Sequence, residues 1–362
     1  MSFKNLILYH SSNFDKTVGG SESYSGYILK FFDGILKLYI SGIKKSSSIN
    51  NYLKKNYDIV INNTIYPAPV FKKGLYINCS INSNISRHRD SIHIVHFPKD
   101  CVIKFRKNLF KLAVTFVRKI FYYRSYSLFL CNSNFTAGCF KQMWKNVPCG
   151  KVKVLYPPVK LFSYNENSKR ENIIVIFSRI SYEKNIDILV ETFNKHYSGQ
   201  GLKLCILGSV NTKENQDYLE ILKSKAANNI TFVINPSRDT IQNIFDRALI
   251  FWHSMGYGKT DNFFFEHFGI TTVEAMSSGL IPIVINKGGQ SEIVDHYTNG
   301  FKWDSLEELI YFTNYFLKLT LDEKKMLSKK AVQKASCFSY EKFKLNFNAI
   351  ILDYFKERLY ET

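Results

Sequence analysis

Asn172-Ile173-Ile174-Val175-Ile176-Phe177-Ser178-Arg179-Ile180-Ser181-Tyr182-Glu183-Lys184 opens on a continuous apolar run and closes on a charged turn. A short apolar run rich in β-branched residues is what a strand buried on both faces requires. A helical pattern follows at Ile186 to Lys195, and a second apolar run returns at Leu202 to Leu207. The alternation continues downstream. Strands are predicted at Ile230 to Ile234, Leu249 to Trp252 and Ile281 to Ile285, with helices at Glu214 to Ala227, Thr240 to Ala248 and Thr271 to Ser278. Strands alternating with helices at this spacing predict an α/β unit on a parallel sheet.

Upstream, the same alternation is present in the first 160 residues. Strands are expected near Lys4 to Tyr9, at Asp58 to Asn62, at Ile92 to His96 and at Leu128 to Cys131, with helices at Glu22 to Phe32 and Thr136 to Trp144. Tyr156-Pro157-Pro158-Val159 and the polar stretch 163–169 interrupt regular structure, which sets a boundary there. The expected organisation is an N-terminal Rossmann-like domain at 1–160, a second one at 161–338, and a long C-terminal helix at 339–362. Ligands of such sheets bind at the carboxyl ends of the strands, so a cleft between two domains of this kind is the expected place for the chemistry.

Composition narrows the class. With 362 residues, 45% hydrophobic and 22% charged, the chain is long enough for two cores and is neither fibrous nor disordered. Seven scattered cysteines with no C-x-x-C pair predict reduced thiols in a cytoplasmic compartment rather than a disulfide framework or a zinc site. The N-terminal apolar run is too short for a secretory signal, and no run of roughly 18 apolar residues is long enough to span a bilayer. The formal charge of +19 is lopsided. Residues 1–160 hold 25 Lys and Arg against 6 Asp and Glu, while residues 161–362 hold 24 of each. A coding bias towards lysine would act on both halves, so the basic half is expected to face something anionic.

Three strand-end segments of the second domain carry groups suited to a diphosphate. Arg179 and Lys184 follow the strand ending at Phe177, and a fork and a mobile ammonium five positions apart across a turn can both reach phosphate oxygens. The alternative is solvated loop charges paired with Glu183. Glu266 lies in a loop, and Glu274 falls in a helix starting near Gly269 to Thr271, whose free N–H groups attract phosphate. Thr271-Thr272-Val273-Glu274 is also a formal capping box, which makes Glu274 structural on that reading. Asn286-Lys287-Gly288-Gly289-Gln290-Ser291-Glu292 permits either close ligand approach or a tight turn. In the first domain, Gly19-Gly20 is a glycine loop, and His96 at a strand end is either a satisfied structural histidine or a catalytic one. Gly256 to Thr260 contains G-K-T without the first glycine of a P-loop, no G-x-G-x-x-G occurs, and no D-x-D carboxylate pair is present to hold a metal on a diphosphate.

Taken in order, these segments resemble the family-four retaining glycosyltransferases of GT-B fold, over nearly the whole chain. The resemblance rests on Gly19-Gly20, His96-Phe97-Pro98, Asn132 to Thr136, Val154 to Val159, Arg179 with Lys184, the Glu266/Glu274 pair, and Gly288-Gly289 with Glu292. Within the family, Trp252 to Gly258, Glu266 to Thr272 and Tyr122-Tyr123-Arg124 are most similar to the α-1,2-mannosyltransferases that extend the lipid-linked oligosaccharide. The resemblance implies two Rossmann-like domains facing across a cleft, with the C-terminal helix returning to the first. It implies transfer of a mannose- or glucose-type hexose, without a metal or other cofactor, from a nucleotide-diphosphate sugar to a glycan or lipid-linked glycan acceptor. His96 and Glu266 are then the catalytic pair, and Gly20, Arg179, Lys184, His267, Phe268, Gly269, Ile270, Thr271 and Glu274 bind the donor. One departure is that Ser178 stands where the family usually has a glycine before the arginine.

The basic half has its own reading. On a helical wheel from Lys104 to Arg124, Lys104, Lys107, Lys111, Arg118 and Lys119 gather opposite Leu109, Leu112, Ala113, Phe116, Val117 and Ile120. That pattern fits an interfacial helix on an anionic membrane, hence a peripheral association, and equally a surface helix packed on the sheet. A sugar-nucleotide epimerase acting on the donor alone is the competing enzyme. Nucleic-acid binding is the competing non-enzyme, and no nucleic-acid partner is expected because no recognisable module for it is present.

Overall fold

The computed structural model describes residues 6–9, 24, 26–28, 30–31, 38–41, 75–78, 90–97, 122 and 124–359. Gly20, the strand expected at Asp58 to Asn62 and, apart from Tyr122 and Arg124, the Lys104–Arg124 stretch lie outside them. The chain forms two compact units, residues 1–158 with 343–362, and residues 159–342.

The first unit holds a six-stranded parallel sheet in the order β2-β1-β3-β4-β5-β6. Its strands are β1 Leu6–Tyr9, β2 Leu38–Ser41, β3 Leu75–Asn78, β4 Asp90–Val95, β5 Leu128–Cys131 and β6 Val152–Val154. β5 is buried along its whole length, as its unbroken apolar sequence demands. An aromatic core of Tyr122, Tyr126, Phe129, Phe140 and Trp144 lies beside it. Ser133 caps the helix Asn134–Met143 by accepting the Thr136 N–H. Tyr122 is thus a core residue of the described structure. Tyr24 donates its hydroxyl to the Leu155 carbonyl at 3.0 Å, and Tyr24 and Phe31 pack against Phe343 and Phe347 of the helix Tyr340–Leu359.

The second unit holds a second six-stranded parallel sheet, ordered β12-β11-β10-β7-β8-β9. These are β7 Ile173–Phe177, β8 Lys203–Gly208, β9 Ile230–Ile234, β10 Ile250–His253, β11 Ile281–Ile285 and β12 Phe301–Trp303. The chain runs outward from β7 to β8 and β9, then returns to lay β10 against the other side of β7. The loops leaving β7 and β10 therefore diverge, which opens a crevice at their carboxyl ends. β10 and β11 are completely buried. Trp252 anchors the layer, its indole N–H donating to Thr313 at 3.1 Å, and full burial of a side chain this large contributes on the order of 3 kcal/mol. Arg170 donates to the carbonyls of Phe245, Ala248 and Ser278, so one guanidinium ties down the C-terminal ends of helices Arg238–Arg247 and Ile270–Ser277.

Candidate donor site

The loops at the β7–β10 switch are laced together. Asn185, in the left-handed region at φ 51°, donates to the carbonyls of Ser254 and Tyr257, while Ser254 donates back to those of Lys184 and Asn185. This lacing fixes where Lys184 points. Its ammonium lies 2.6 Å from Glu266 Oε2 and 3.2 Å from the Met255 sulfur, with Lys184 and Glu266 side chains only 15% and 22% exposed. Burial alone pushes the Glu266 carboxyl up, but the Lys184 charge, the neighbouring His253 and the bond from Lys184 together hold it well below the usual carboxylate range. Glu266 is a fixed anion facing a fixed cation.

His253 ends β10 and extends this pair into a buried polar chain. Its Nε2 faces Glu266 Oε2 at 3.5 Å, an electrostatic contact without a hydrogen bond, while its Nδ1 accepts from Gln290 Nε2 at 2.7 Å and from the Met255 N–H at 3.3 Å. Gln290 in turn accepts the Thr272 hydroxyl at 2.7 Å. Thr272, Gln290 and His253 are all buried, and burial lowers the His253 pKa, so the ring is neutral with its proton on Nε2. The chain links Lys184 on one loop to the first turn of the helix Ile270–Ser277. None of Thr272, Gln290 or His253 was singled out as a site residue from sequence; the usable signal was a histidine at a strand end beside Trp252.

That helix starts within the expected Gly269 to Thr271 stretch, but without the capping box. Gly269 is its N-cap, at φ 113°, and no side chain caps it. Thr271 therefore lies inside the helix, and the Thr271–Glu274 capping box does not form. The N–H groups of Gly269, Ile270 and Thr271 have no acceptor among the described residues, whereas those of Thr272 and Val273 both bond the Gly269 carbonyl. Three N–H donors are thus left at the positive end of the helix. Glu274, 14% exposed, sits 3.5 Å from Arg238, and burial lifts its pKa to about 7 despite that charge. Arg238 is held by the carbonyls of Lys160 and Leu161 and by the face of Phe162 at 3.7 Å.

The glycine pair has a role that neither earlier reading supplied. A Cβ on Gly288 would lie 2.2 Å from the Glu266 carbonyl oxygen, and one on Gly289 would lie 2.2 Å from that of His267. The Gly289 N–H also bonds the Glu266 carbonyl at 2.7 Å. The glycines let this loop press against the Glu266–Phe268 backbone. His267 is half-buried and its pKa is lowered to about 4 by burial; Phe268 is in the core against Phe338. Arg179 is exposed and makes no ion pair among the described residues, and Glu183 pairs with neither Arg179 nor Lys184. Ser178 is buried, its carbonyl close against Gly208.

In the first unit, His96 follows the end of β4, half-buried. Tyr24 stands edge-on to its ring at 5.3 Å, and its carbonyl accepts from Asn132 at 3.0 Å. Among the described residues, no cluster of three or more His, Cys, Asp or Glu is placed to hold a metal ion.

The family model for glycosyl transferases group 1 matches residues 160–333. Those residues are a group 1 glycosyltransferase domain. The chain is 29% identical over 231 residues to the GDP-Man:Man(3)GlcNAc(2)-PP-Dol alpha-1,2-mannosyltransferase of Yarrowia lipolytica, covering 54% of this chain and 35% of that protein. It is 24% identical to the human protein of that name, covering 80% and 64%, and 23% identical to the alpha-1,3/1,6-mannosyltransferase ALG2 of Dictyostelium discoideum, covering 82% and 76%. The chain spans 33% to 64% of the length of the first five curated relatives. Among solved structures, Anabaena Alr3699/HepE in complex with UDP superimposes with a TM-score of 0.67 at 16% identity over 97% of this chain and 100% of its own. TarM does so at 0.68 and 10% over 96% and 99%. Together with the two parallel sheets, these likenesses give the GT-B fold.

Proposed function

We propose that the chain transfers a hexose, with retention, from a nucleoside-diphosphate sugar to a glycan or lipid-linked glycan acceptor. GDP-mannose is the first donor to test, because the relatives' names specify it. One observation carries the reading. The Lys184–Glu266 pair, the free amides of Gly269 to Thr271 and the buried Glu274 belong to one unit at the carboxyl ends of its strands, with Lys184 linked to the amide-bearing turn by the His253–Gln290–Thr272 chain.

In this reading the diphosphate lies on the Gly269 to Thr271 amides, with Arg179 and Lys184 as its cations, and Glu274 receives the ribose hydroxyls. As the anomeric C–O bond breaks, the bonding electrons leave with the diphosphate, and the amides and cations stabilise that charge without a metal. The acceptor hydroxyl attacks from the leaving-group face and gives its proton to the departing phosphate oxygen. Glu266, held anionic by Lys184, stands beside the positive charge that develops on the sugar ring. His96, in the first unit, is assigned to the acceptor side. The Lys104–Arg124 stretch is the proposed contact with an anionic membrane; among the described residues no helix is long and apolar enough to cross one.

The test is a thermal-shift panel of GDP-, UDP- and ADP-sugars on the wild type and Glu274→Ala. One donor is expected to raise the wild-type Tm and to lose most of that effect in the variant. Absence of stabilisation by every donor rejects the reading.

A further inference from the structure

We propose that the glycosyltransferase carries a second binding site, a tyrosine platform for neutral oligosaccharide chains, formed by Tyr297, Tyr311 and Tyr315. Tyr311 and Tyr315 stand one turn apart on the solvent face of the helix Leu306–Lys318, their rings within 21° of parallel and 6.4 Å between centroids. Tyr297 meets Tyr315 edge-on at 5.9 Å. Beneath them Phe301 and Phe312 stack at 5.5 Å and make a firm floor. The three tyrosines are 51%, 58% and 39% exposed in chain order, and none of their hydroxyls has a hydrogen-bond partner among the described residues. Large aromatic rings held together in water in this way mark a contact surface.

The backbone at Tyr297 is the independent observation. Its φ is 61°, in the left-handed region that glycine enters freely and a bulky residue rarely does. A brace holds it there. Asn299, buried, donates to Asp295 Oδ2 and accepts the Asp295 N–H, both at 3.0 Å, and Lys334 grips the same carboxylate at 2.9 Å. The Tyr297 N–H closes the turn on the Gly300 carbonyl at 2.9 Å. A turn that glycine would satisfy without strain instead lifts a ring beside two others. Strain retained in this manner collects where the displayed side chain is used.

The surroundings choose the ligand class. The exposed face of the helix reads Glu307, Glu308, Tyr311, Asn314, Tyr315, Lys318, so the rings are flanked by two carboxylates, an amide and one ammonium. Stacked rings take the flat C–H face of a pyranose, while phenols, amide and carboxylates exchange hydrogen bonds with its hydroxyls. The net negative rim disfavours phosphates, nucleic acid and anionic headgroups. The platform lies within residues 160–333 but on elements other than those bearing Lys184, Glu266 and Glu274, and it goes beyond the transfer reaction in requiring no donor.

The experiment titrates the full chain, without donor, with neutral manno- and gluco-oligosaccharides of tetrasaccharide length or more, followed by saturation-transfer NMR and calorimetry. Saturable binding is expected, weakened about tenfold or more in Tyr311→Ala/Tyr315→Ala. Tyr297→Gly is expected to bind more weakly while melting within a few degrees of the wild type, because it releases the left-handed strain. The donor-induced thermal shift should be the same in all three proteins. Failure of every neutral oligosaccharide to bind, or undiminished affinity in the double variant, overturns the proposal. So does binding of polylysine or of phosphatidylserine vesicles in its place, which would make the face a protein or membrane contact. A wild type that binds oligosaccharide but no nucleotide sugar rejects the transfer reading and leaves the platform standing.

Discussion

Neutralising Glu274 is expected to stabilise the protein at high pH and to do almost nothing at low pH. The carboxyl is 14% exposed with Arg238 at 3.5 Å, and burial moves its pKa from 4.5 to about 7. The folded state thus keeps a proton that the unfolded chain releases between those values, so stability falls as pH rises through that window. At 1.36 kcal/mol for each tenfold change in proton affinity, the loss reaches about 3 kcal/mol by pH 8. Glu274→Gln keeps the shape and an acceptor for Arg238 but removes the titration. Its advantage should therefore be near zero at pH 4.5 and approach about 3 kcal/mol at pH 8, which for a unit of this size is roughly 6–12 °C in Tm. Donor affinity runs the opposite way under the proposed role, strengthening as the carboxylate forms, since only the anion accepts both ribose hydroxyls. Differential scanning fluorimetry at pH 5 and pH 8, with and without nucleotide sugar, reads both effects. An identical Tm difference between wild type and Glu274→Gln at the two pH values would refute the buried carboxyl and the ribose site built on it.

Three other outcomes follow from the same geometry. Lys184→Met leaves Glu266 buried with only a neutral histidine beside it, which should cost roughly 3 kcal/mol in urea denaturation; because Glu266 loses the main charge that depressed its pKa, the variant should also lose stability more steeply than the wild type as pH rises above about 5. Gly289→Ala should cost about 1–3 kcal/mol by pushing a methyl into the His267 carbonyl, and Gly288→Ala more, since its φ of 70° adds backbone strain; a Tm equal to wild type in both contradicts the packed loop. His253 should appear at pH 7 in long-range nitrogen–proton NMR spectra as the neutral Nε2–H tautomer, and an imidazolium pattern there would break the hydrogen-bond chain.

The second sheet was legible because its central strands are buried on both faces. The runs at 173–177 and 281–285 are apolar throughout, the edge strand at 230–234 is apolar but for Thr231 and only partly buried, and the expected bounds of all three hold to within a residue. The strands β2, β3, β6 and β12, of three or four residues, were not read from the sequence. The helices Leu306–Lys318 and Leu321–Ser336 were missed although a capping box marks the second, with Thr320 and Glu323 bonding each other's backbone. The same four-residue pattern at Thr271–Glu274 is no cap. What separates the two is Gly269, whose positive φ begins the helix before Thr271 and places that residue inside it. The pattern specifies a cap only when the residue ahead of it is not already turning.

The site was legible by segment and not by partner. Arg179, Lys184, Glu266 and Glu274 were named from their places at strand ends and a helix start and from the family resemblance, each against a structural alternative. His253, Gln290 and Thr272 are polar residues in apolar surroundings, 18 and 37 positions apart, and their significance lies only in bonding one another. A buried polar group left unmatched costs about 1–3 kcal/mol, so each member of the chain holds the next in place. Lys184 fixes the charge of Glu266, Gln290 and the Met255 N–H fix the tautomer of His253 whose Nε2 faces that carboxylate, and Gln290 fixes Thr272 in the turn whose neighbouring amides have no acceptor among the described residues. An anion arriving at those amides therefore meets a helix end already tied to the carboxylate beside which the sugar is proposed to react. Positioning of the diphosphate and positioning of Glu266 are one structural property, and substitutions along the chain should impair both together.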